Sequence, residues 1–285
     1  MTTLLALTIS KQQKEQYHEE GYMILEGVIP PDLLAMLREE CSYFLGYMDA
    51  AMDAADQSVS FGTHRGKRYF ICNQYRASAR MWQFTFSPLM AAVTQAALGP
   101  NTFLTFEQWV VKGADRGLKF AWHQDSGYLK FGGASAPGYR PYEKPYLTCW
   151  CPVDDVTEEN GTVYILPHSR AGTRHTIFEH VREPGANDLV GYTGDDPGIP
   201  VIVPAGSIVA FSSYTLHRSG ANTTPRLRRV YVAHYSSEPI YGPGGKIRDL
   251  AVPFVKAGRL VYDHTADAPA PGGAAQVKRF LGKEN

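Results

Sequence analysis

The feature that most constrains the fold is a series of short apolar segments spread over residues 102–236. Gly, Pro and Asp separate them, and they lack the three-to-four-residue spacing of an amphipathic helix. Short segments rich in β-branched and aromatic residues predict an all-β body of seven or eight strands. The segments are FLTFEQWVV, LKFAWHQD, YLTCWCPV, TVYILP, IPVIVP, SIVAFSS and RRVYVAHYS.

The first hundred residues have a helical pattern instead. Ser10 is placed to cap a helix over KQQKEQYHEE that ends at Gly21, and the apolar YMILEGV after it predicts a strand. A second helix should begin at Pro30 and Pro31, because apolar residues then recur at spacings of three and four as far as Met48. One face of this helix is therefore expected to pack on a sheet.

Two further segments complete this part of the chain. Residues 52–68, MDAADQSVSFGTHRGKR, are polar and small and are expected to form a mobile loop. Ser87 should cap a third helix, PLMAAVTQAALG, that ends at Gly99. Helices followed by strands predict a mainly β fold, a double-stranded β-helix or cupin-like jelly roll whose helices cover the outer face of one sheet.

We expect this fold to form a single domain over residues 1–285. Its parts are a helical section (1–100) that packs on the barrel, a jelly-roll core (101–240) and a C-terminal extension (241–285). A segment rich in Gly, Pro and Tyr, residues 126–145, is expected to form a long loop. Loops beside a rigid scaffold commonly carry specificity.

The composition weighs against several classes of partner. The 28 Lys and Arg residues balance the 28 Asp and Glu residues, so no net field would attract a nucleic acid or an anionic membrane. The sequence contains no run of 18 consecutive apolar residues, the pattern that would predict a membrane-spanning helix. Cys149 and Cys151 are interpreted as buried thiols, typical of a reducing compartment. We expect a cytoplasmic monomer or homodimer that acts on a small molecule.

The stretch AWHQDSGYLK contains the first candidate for chemistry. Residues i and i+2 of a strand point to the same face, about 6.5 to 7 Å apart, so His123 and Asp125 should converge. With one more imidazole from a distant strand, they would form the two-His-one-carboxylate arrangement that binds ferrous iron and leaves three positions open. Without a third ligand, a structural hydrogen-bonded pair is the better explanation of these two residues.

The best candidate for the third ligand is His217. It follows the buried strand SIVAFSS and a turn, which would bring it to the same rim of the barrel. His168, in a turn, and His234, at a strand end, are weaker rivals. The remaining histidines are expected to be solvated or simply hydrogen-bonded; they are His18, His64, His264, and His175 and His180 in a segment expected to be a surface excursion.

An iron oxygenase of this type must also hold a dicarboxylate co-substrate. A bidentate guanidinium with a neighbouring hydroxyl suits a buried carboxylate, and Ser219 and Arg228 lie two and eleven residues after His217. Arg226 and Arg229 compete for the same role, and strand alternation would place Arg226 on the same face as Arg228.

Together these residues resemble the phytanoyl-CoA dioxygenase family of Fe(II)- and 2-oxoglutarate-dependent oxygenases. The resemblance runs from EEGYMILEGVIPPDLLAMLREE through WHQD and CWCPVDDVTEENGTVYILPHS to LHRSGANTTPRLRR. It implies a double-stranded β-helix with iron on His123, Asp125 and His217. The 2-oxoglutarate contacts that it implies are Gln108, Trp150, Ser219 and Arg228.

The resemblance also implies a reaction. The enzyme would use O2 to oxidise a small metabolite while 2-oxoglutarate is converted to succinate and CO2. Related halogenating enzymes have a small residue at the carboxylate position, so Asp125 favours hydroxylation or another oxidation. Candidate substrate contacts are Trp122, Tyr128, Tyr69 and Asn73.

The sequence departs from the family pattern in two places. His168 stands where the family has a glycine, PHSR in place of PGSH, which suggests an altered turn with a histidine near the pocket. The long segment 126–145 means that no relative's substrate can be transferred to this chain.

Two other functions remain compatible with the residues. One is a non-catalytic jelly roll that binds a metal or a ligand, and the other is a cupin-like metal enzyme that does not need 2-oxoglutarate, such as an isomerase. The complete set of candidate residues argues against the first, and the role of Arg228 distinguishes the second.

Overall fold

The computed structural model describes residues 8–60, 62–114, 117–132, 144–183 and 188–267. Within those ranges the α-helices are α1 Lys11–Glu20, α2 Pro31–Ala54, α3 Trp82–Thr85, α4 Pro88–Leu98, α5 Asp125–Phe131 and α6 His168–Ala171, with 3₁₀ turns at Tyr75–Ala77 and Pro243–Gly245. The strands are β1 Tyr22–Leu25, β2 Val59–Ser60, β3 Thr63–His64, β4 Arg68–Cys72, β5 Thr102–Lys112, β6 Phe120–His123, β7 Leu147–Pro152, β8 Val163–Leu166, β9 Val181–Arg182, β10 Leu189–Val190, β11 Ile199–Pro200, β12 Ile208–Ser212, β13 Leu216–Ser219, β14 Arg228–Ser236, β15 Val252–Lys256 and β16 Arg259–Leu260.

Local capping signals set the ends of the N-terminal helices. Ser10 and Gln13 form a reciprocal capping box at the start of α1, and Gly21 ends it with a left-handed φ of 83°. The Ser87 hydroxyl accepts a hydrogen bond from the Met90 amide at the start of α4. These helices begin and end where the sequence predicted. No helix in the described ranges is both long and apolar enough to cross a bilayer.

The larger sheet is antiparallel and follows the order β1-β12-β7-β14-β5-β4-β3-β2, with β15 also paired to β5 and extended by β16. Alternation along β14 separates its two faces. Tyr231, Ala233 and Tyr235 join the apolar core formed with the helices, whereas Val230 and Val232 belong to a second core on the opposite face. The helices therefore cover only the outer face of this sheet.

The smaller sheet, β11-β8-β13-β6, faces the inner side of the larger one. The second core lies between the two sheets and includes Trp150, Val163, Ile165 and Phe211. Two facing antiparallel sheets with helices on one outer side form the predicted jelly roll. The mainly β fold class is thereby confirmed.

The expectation of one loop over residues 52–68 is wrong, and the expected loop 126–145 is wrong for residues 126–131. Residues 52–68 are not one loop, because α2 continues to Ala54 and the short strands β2 and β3 add to the edge of the larger sheet beside β4. Of the predicted loop 126–145, residues 126–131 lie in α5, and residues 133–143 lie outside the described ranges.

Candidate active site

A cavity of about 680 Å³ opens between the two sheets. Every residue that the sequence assigned to metal or 2-oxoglutarate contributes to its wall: Gln108, His123, Asp125, Trp150, His217, Ser219 and Arg228. They come from β5, β6, α5, β7, β13 and β14. The fold thus collects residues that are up to 120 positions apart along the chain (228 − 108).

His123 and Asp125 converge, but not for the reason that the sequence suggested. Strand β6 ends at His123, and Asp125 is the first residue of α5, so the two do not share a strand face. Gln124 between them has extended backbone angles (φ −110°, ψ 135°) and turns the chain into the helix. The resulting distance from His123 Nε2 to Asp125 Oδ1 is 3.6 Å.

His217 completes the group from within a strand of its own. It lies in β13, directly opposite His123 of β6 in the antiparallel register. Its Nε2 atom is 3.6 Å from Asp125 Oδ1. One ligand atom from each of His123, Asp125 and His217 falls within 4.8 Å of the other two, close enough to hold one metal ion.

Hydrogen bonds orient both imidazoles toward this point. His123 Nδ1 lies 2.8 Å from the Ala121 carbonyl oxygen, and His217 Nδ1 lies 3.0 Å from that of Thr215. A carbonyl can only accept, so each Nδ1 carries the proton and each Nε2 presents a lone pair. Burial lowers the pKa of His217 to about 4, so this imidazole is neutral near pH 7, the form that binds metals.

Asp125 is ionised and held by a neighbouring hydroxyl. Burial by itself would raise its pKa, but the adjacent imidazoles of His217 and His123 outweigh burial and hold the pKa below its usual range. Thr148 donates a 2.5 Å hydrogen bond to Oδ2. The other carboxylate oxygen, Oδ1, is the one nearest both imidazoles.

The rival histidines lie apart from this group. His168 is buried in α6, where its Nδ1 contacts the Thr173 hydroxyl at 2.9 Å. It is absent from the cavity wall, so the replacement of the family's glycine by His168 does not place a histidine at the pocket. His234 does line the cavity, between Phe106 and Tyr146, but lies outside the three-residue group. His180 is hydrogen-bonded as expected, yet it is only 5% exposed rather than part of a surface excursion.

Arg228 is a fully buried residue of the cavity wall. Its side chain is buried, its Cζ is 5.5 Å from the Trp150 ring centroid, and its Nε and Nη1 have no hydrogen-bond partner among the described residues. Burial lowers its pKa to about 9, so it remains charged near pH 7. Arg226 is exposed, and Arg229 pairs with Asp154 at 2.7 Å on the other face of β14. Of the three competing arginines, Arg228 alone lines the cavity.

Sequence reasoning missed two cations beside Arg228. Lys112 is the cross-strand partner of both Arg228 and Arg68, so three buried cationic side chains form a row across β14, β5 and β4. Asp188 pairs with Arg68 at 3.3 Å, and the Lys112 ammonium donates to the carbonyls of Leu118 and Gly220. Burial and the neighbouring guanidiniums of Arg228 and Arg68 lower the pKa of Lys112 well below its ordinary value, so an anion in the cavity would favour its charged form.

The alternation of strand faces could have pointed to Arg68 and Lys112 as inward-facing residues. Both lie in strands at positions that share a face with inward-pointing neighbours, Phe70 on β4 and Val110 on β5. Without the register, however, Arg68 is indistinguishable from a solvated charge.

The four candidate substrate contacts separate into one that faces the cavity and three that do not. Tyr128 lines it, with its ring 5.3 Å from that of His123 and its hydroxyl accepting from the Leu189 amide. Trp122 lies on the other face of β6, beside Arg218. Tyr69 faces α2, where its hydroxyl donates to Asp49. The Asn73 side chain accepts a hydrogen bond from the Glu107 backbone amide in β5. These three are absent from the cavity wall.

Comparisons with known proteins agree with this geometry. The family model for phytanoyl-CoA dioxygenase (PhyH) matches residues 17–230. The peroxisomal phytanoyl-CoA dioxygenase of Rattus norvegicus is 21% identical over 242 residues, which cover 80% of this chain and 69% of that protein. An ectoine dioxygenase of Bordetella parapertussis is 23% identical over 252 residues, covering 82% and 78%.

Among solved structures, the non-haem α-ketoglutarate-dependent carbocyclase SnoK from nogalamycin biosynthesis has the same fold. It superposes with a TM-score of 0.60 at 18% identity, over 86% of this chain and 93% of that one. The match of the family model spans both the helical section and nearly the whole jelly roll. This chain is therefore a member of the phytanoyl-CoA dioxygenase family, whose enzymes are non-haem iron, 2-oxoglutarate-dependent oxygenases.

Proposed function

We propose that this enzyme hydroxylates a small molecule, using Fe(II), 2-oxoglutarate and O2 and releasing succinate and CO2. The observation that carries the proposal is the combination of two features in one cavity. These are a His-Asp-His group of metal-binding geometry and the buried guanidinium of Arg228, whose Nε and Nη1 lack a partner among the described residues. A buried cation without a partner is costly, and a carboxylate would satisfy it.

The residues present fit ferrous iron. Two neutral imidazoles and one carboxylate on one side of the metal are the ligand set of non-haem Fe(II) oxygenases. His123, Asp125 and His217 would hold the ion, and the carbonyls of Ala121 and Thr215 hold the two rings in the tautomer that binds it. Bound iron would supply the redox chemistry that couples O2 to the decarboxylation of 2-oxoglutarate.

The part of the cavity around Arg228 fits 2-oxoglutarate. Arg228 and Ser219 would bind the distal carboxylate. Gln108 and Trp150 pair with Val232, which lies along β14 between Arg228 and the Thr148 partner His234, and they would flank the chain of the co-substrate. An anion bound there would also favour the charged form of the neighbouring Lys112. A dicarboxylate held by Arg228 would leave the part of the cavity lined by Tyr128 and His234 for the substrate.

The substrate side has mixed character. Tyr128 of α5 and His234 of β14 flank the metal group, and Arg248 and Asp249 lie at the exposed rim. The relatives' names concern an acyl-CoA ester, ectoine and a carbocyclisation. Because these chemistries differ so widely, they support a small organic substrate and no particular compound.

Anaerobic reconstitution tests the proposal. Wild-type protein with Fe(II) and 2-oxoglutarate should develop the weak visible charge-transfer absorption of a bidentate chelate on ferrous iron. Arg228→Ala should weaken 2-oxoglutarate binding by about two orders of magnitude, because a buried charge-assisted pair is lost. Arg229→Ala, on the opposite face of β14, is the matched control and should bind normally. If wild type binds iron but never develops the band, the protein is a metal-binding jelly roll that does not use 2-oxoglutarate.

A further inference from the structure

Four buried polar residues next to the metal group have no role in the proposed chemistry. Gln124, Ser126 and Ser213 are 0% exposed and His180 is 5% exposed, and none of them lines the cavity. Burying polar side chains is costly unless they form hydrogen bonds that the fold needs. Their partners show what they do.

Gln124, between the two ligands His123 and Asp125, is bonded through both its side chain and its backbone. Its side-chain amide donates to the carbonyls of Thr176 (2.8 Å) and Tyr214 (2.7 Å) and accepts from the Phe178 amide (2.7 Å). Its backbone amide donates to His180 Nε2 at 2.9 Å. The side chain therefore joins the His123–Asp125 connection to the turn at Tyr214 that leads into His217.

The hydrogen bond to His180 satisfies a backbone amide, that of Gln124, which the β-sheet leaves without a partner. Strand β6 has ended at His123, and α5 starts only at Asp125, so the Gln124 amide belongs to neither element. His180 Nδ1 lies 2.8 Å from the Phe178 carbonyl oxygen, which can only accept, so Nε2 is left free to accept from Gln124.

The imidazole of His180 is also fixed in position by two glycines. A Cβ atom at Gly127 would lie 2.2 Å from His180 Cε1, and one at Gly191 would lie 2.5 Å from the same atom. Gly191 in turn donates its amide to the Trp122 carbonyl in β6 at 2.8 Å. The ring therefore occupies a slot between α5 and the residue after β10, with little freedom to move.

Ser126 and Ser213 make a second connection across the same gap. The Ser126 amide donates to the Ser213 carbonyl at 3.0 Å, and the two hydroxyls are 2.7 Å apart. The segment after Asp125 is thus attached to the turn that precedes His217.

We propose that His180 is a positioning residue for the metal centre: by binding the Gln124 amide, it sets the placement of His123 and Asp125 relative to each other and to His217. The inference rests on the iron site of the proposed function. His180 is not part of the cavity wall, so it would not contact the metal or the co-substrate. Its effect passes through the Gln124 backbone.

A matched pair of substitutions tests this role. His180→Gln places an amide oxygen at about the reach of Nε2 and can still accept from Gln124. His180→Asn is equally polar and neutral, can still reach the Phe178 carbonyl, but is too short for Gln124. Each variant is titrated with Fe(II) in competition with a chromogenic chelator, and the thermal midpoint of the metal-free protein is measured alongside.

His180→Asn should weaken Fe(II) binding about tenfold to a hundredfold, the usual effect of losing a residue that orients metal ligands, while His180→Gln should stay within about threefold of wild type. In the metal-free protein, hydrogen exchange at the Gln124 amide should be fast in the Asn variant and slow in wild type and the Gln variant. Gly127→Ala provides an independent perturbation, because alanine favours the helix but displaces the ring; it should also weaken Fe(II) binding.

Each contrary outcome has a distinct meaning. Equal Fe(II) affinity in wild type and His180→Asn would overturn the positioning role and leave the iron site intact. Equal losses in the Gln and Asn variants, accompanied by equal drops in the metal-free midpoint, would reduce His180 to a general packing residue and also overturn it. Wild-type protein that takes up no Fe(II) would overturn the proposed iron site itself.

Discussion

Thr148 on the larger sheet donates a 2.5 Å hydrogen bond to Oδ2 of Asp125, while Oδ1 lies 3.6 Å from Nε2 of both His123 and His217. Thr148 belongs to β7, and Asp125 begins α5 at the end of the smaller sheet. The bond therefore joins the two sheets at the metal group. It also assigns different roles to the two carboxylate oxygens, since one is occupied by a protein donor and the other faces the imidazoles.

Thr148→Val should weaken Fe(II) binding about tenfold, because the substitution preserves shape but frees Asp125 to rotate. Chelator competition on the purified variant measures the effect. Thr94→Val is the control: that hydroxyl is also buried and bonded, but to the Ala91 carbonyl within α4. Unchanged affinity in the Thr148 variant would show that packing alone holds the carboxylate.

Substitution of the histidines should separate the proposed third ligand from its rival. His217→Ala should retain less than about a tenth of the wild-type Fe(II), because two ligands hold the ion far less well than three. The His234→Ala variant should retain a full equivalent of Fe(II), since His234 lines the cavity but lies outside the three-residue group. Metal analysis after gel filtration measures both. Loss of iron from the His234 variant at unchanged thermal stability would require a different ligand set.

Removing one partner of the buried Arg68–Asp188 pair should cost more stability than replacing both partners with apolar residues. Both side chains are mostly buried, and Phe70 and Phe120 each lie 5.2 Å from the guanidinium. Asp188→Ala should cost about 3 kcal/mol in the free energy of unfolding, because it leaves a third uncompensated cation beside Lys112. Adding Arg68→Met should recover part of that loss. A double variant less stable than Asp188→Ala, measured by urea unfolding, would contradict this account.

Glu107 should make stability depend on pH. It is fully buried on the outer face of β5, and burial raises its pKa from 4.5 to about 7. Between those values the folded protein binds the proton that the unfolded chain releases, so the free energy of unfolding should fall as pH rises from about 4.5 to 7. The total is at most about 3 kcal/mol.

Glu107→Gln should remove this component, whereas Glu26→Gln, at an exposed site, should leave it unchanged. Urea unfolding at pH 5 and pH 8 compares the three proteins. Equal slopes with pH in wild type and Glu107→Gln would assign the dependence to other groups.

The parts of the fold that the sequence predicted depend on neighbours along the chain. Ser10, Gly21 and Ser87 act within one helical turn, so their capping roles are visible in the sequence. The alternating faces of β14 and the ligand types at His123 and Asp125 are equally local. The identity of His217 as their partner followed from chemistry, because the residues after it suit a carboxylate-binding site.

The parts that the sequence did not predict depend on contacts between distant segments. Strand β6 stops at His123 because helix α5 begins only two residues later, at Asp125. That change of element is also the reason why His123 and Asp125 meet. Trp122 and Tyr69 are aromatic residues in plausible positions, yet the pairing of their strands turns them away from the cavity. His180 looked like a surface histidine because its partner is 56 residues away (180 − 124).

The sequence by itself determined the fold class, the ends of α1 and α4 and the set of residue types able to bind iron and a dicarboxylate, because periodicity, capping and side-chain chemistry act over a few residues. Only the tertiary structure decided which of those residues share a cavity. Strand register brings Arg68, Lys112 and Arg228 into one row, and buried hydrogen bonds across the two sheets place Asp125 between His123 and His217. Such arrangements depend on pairing between segments that lie 23 (148 − 125) to 116 (228 − 112) positions apart, where no local pattern carries information.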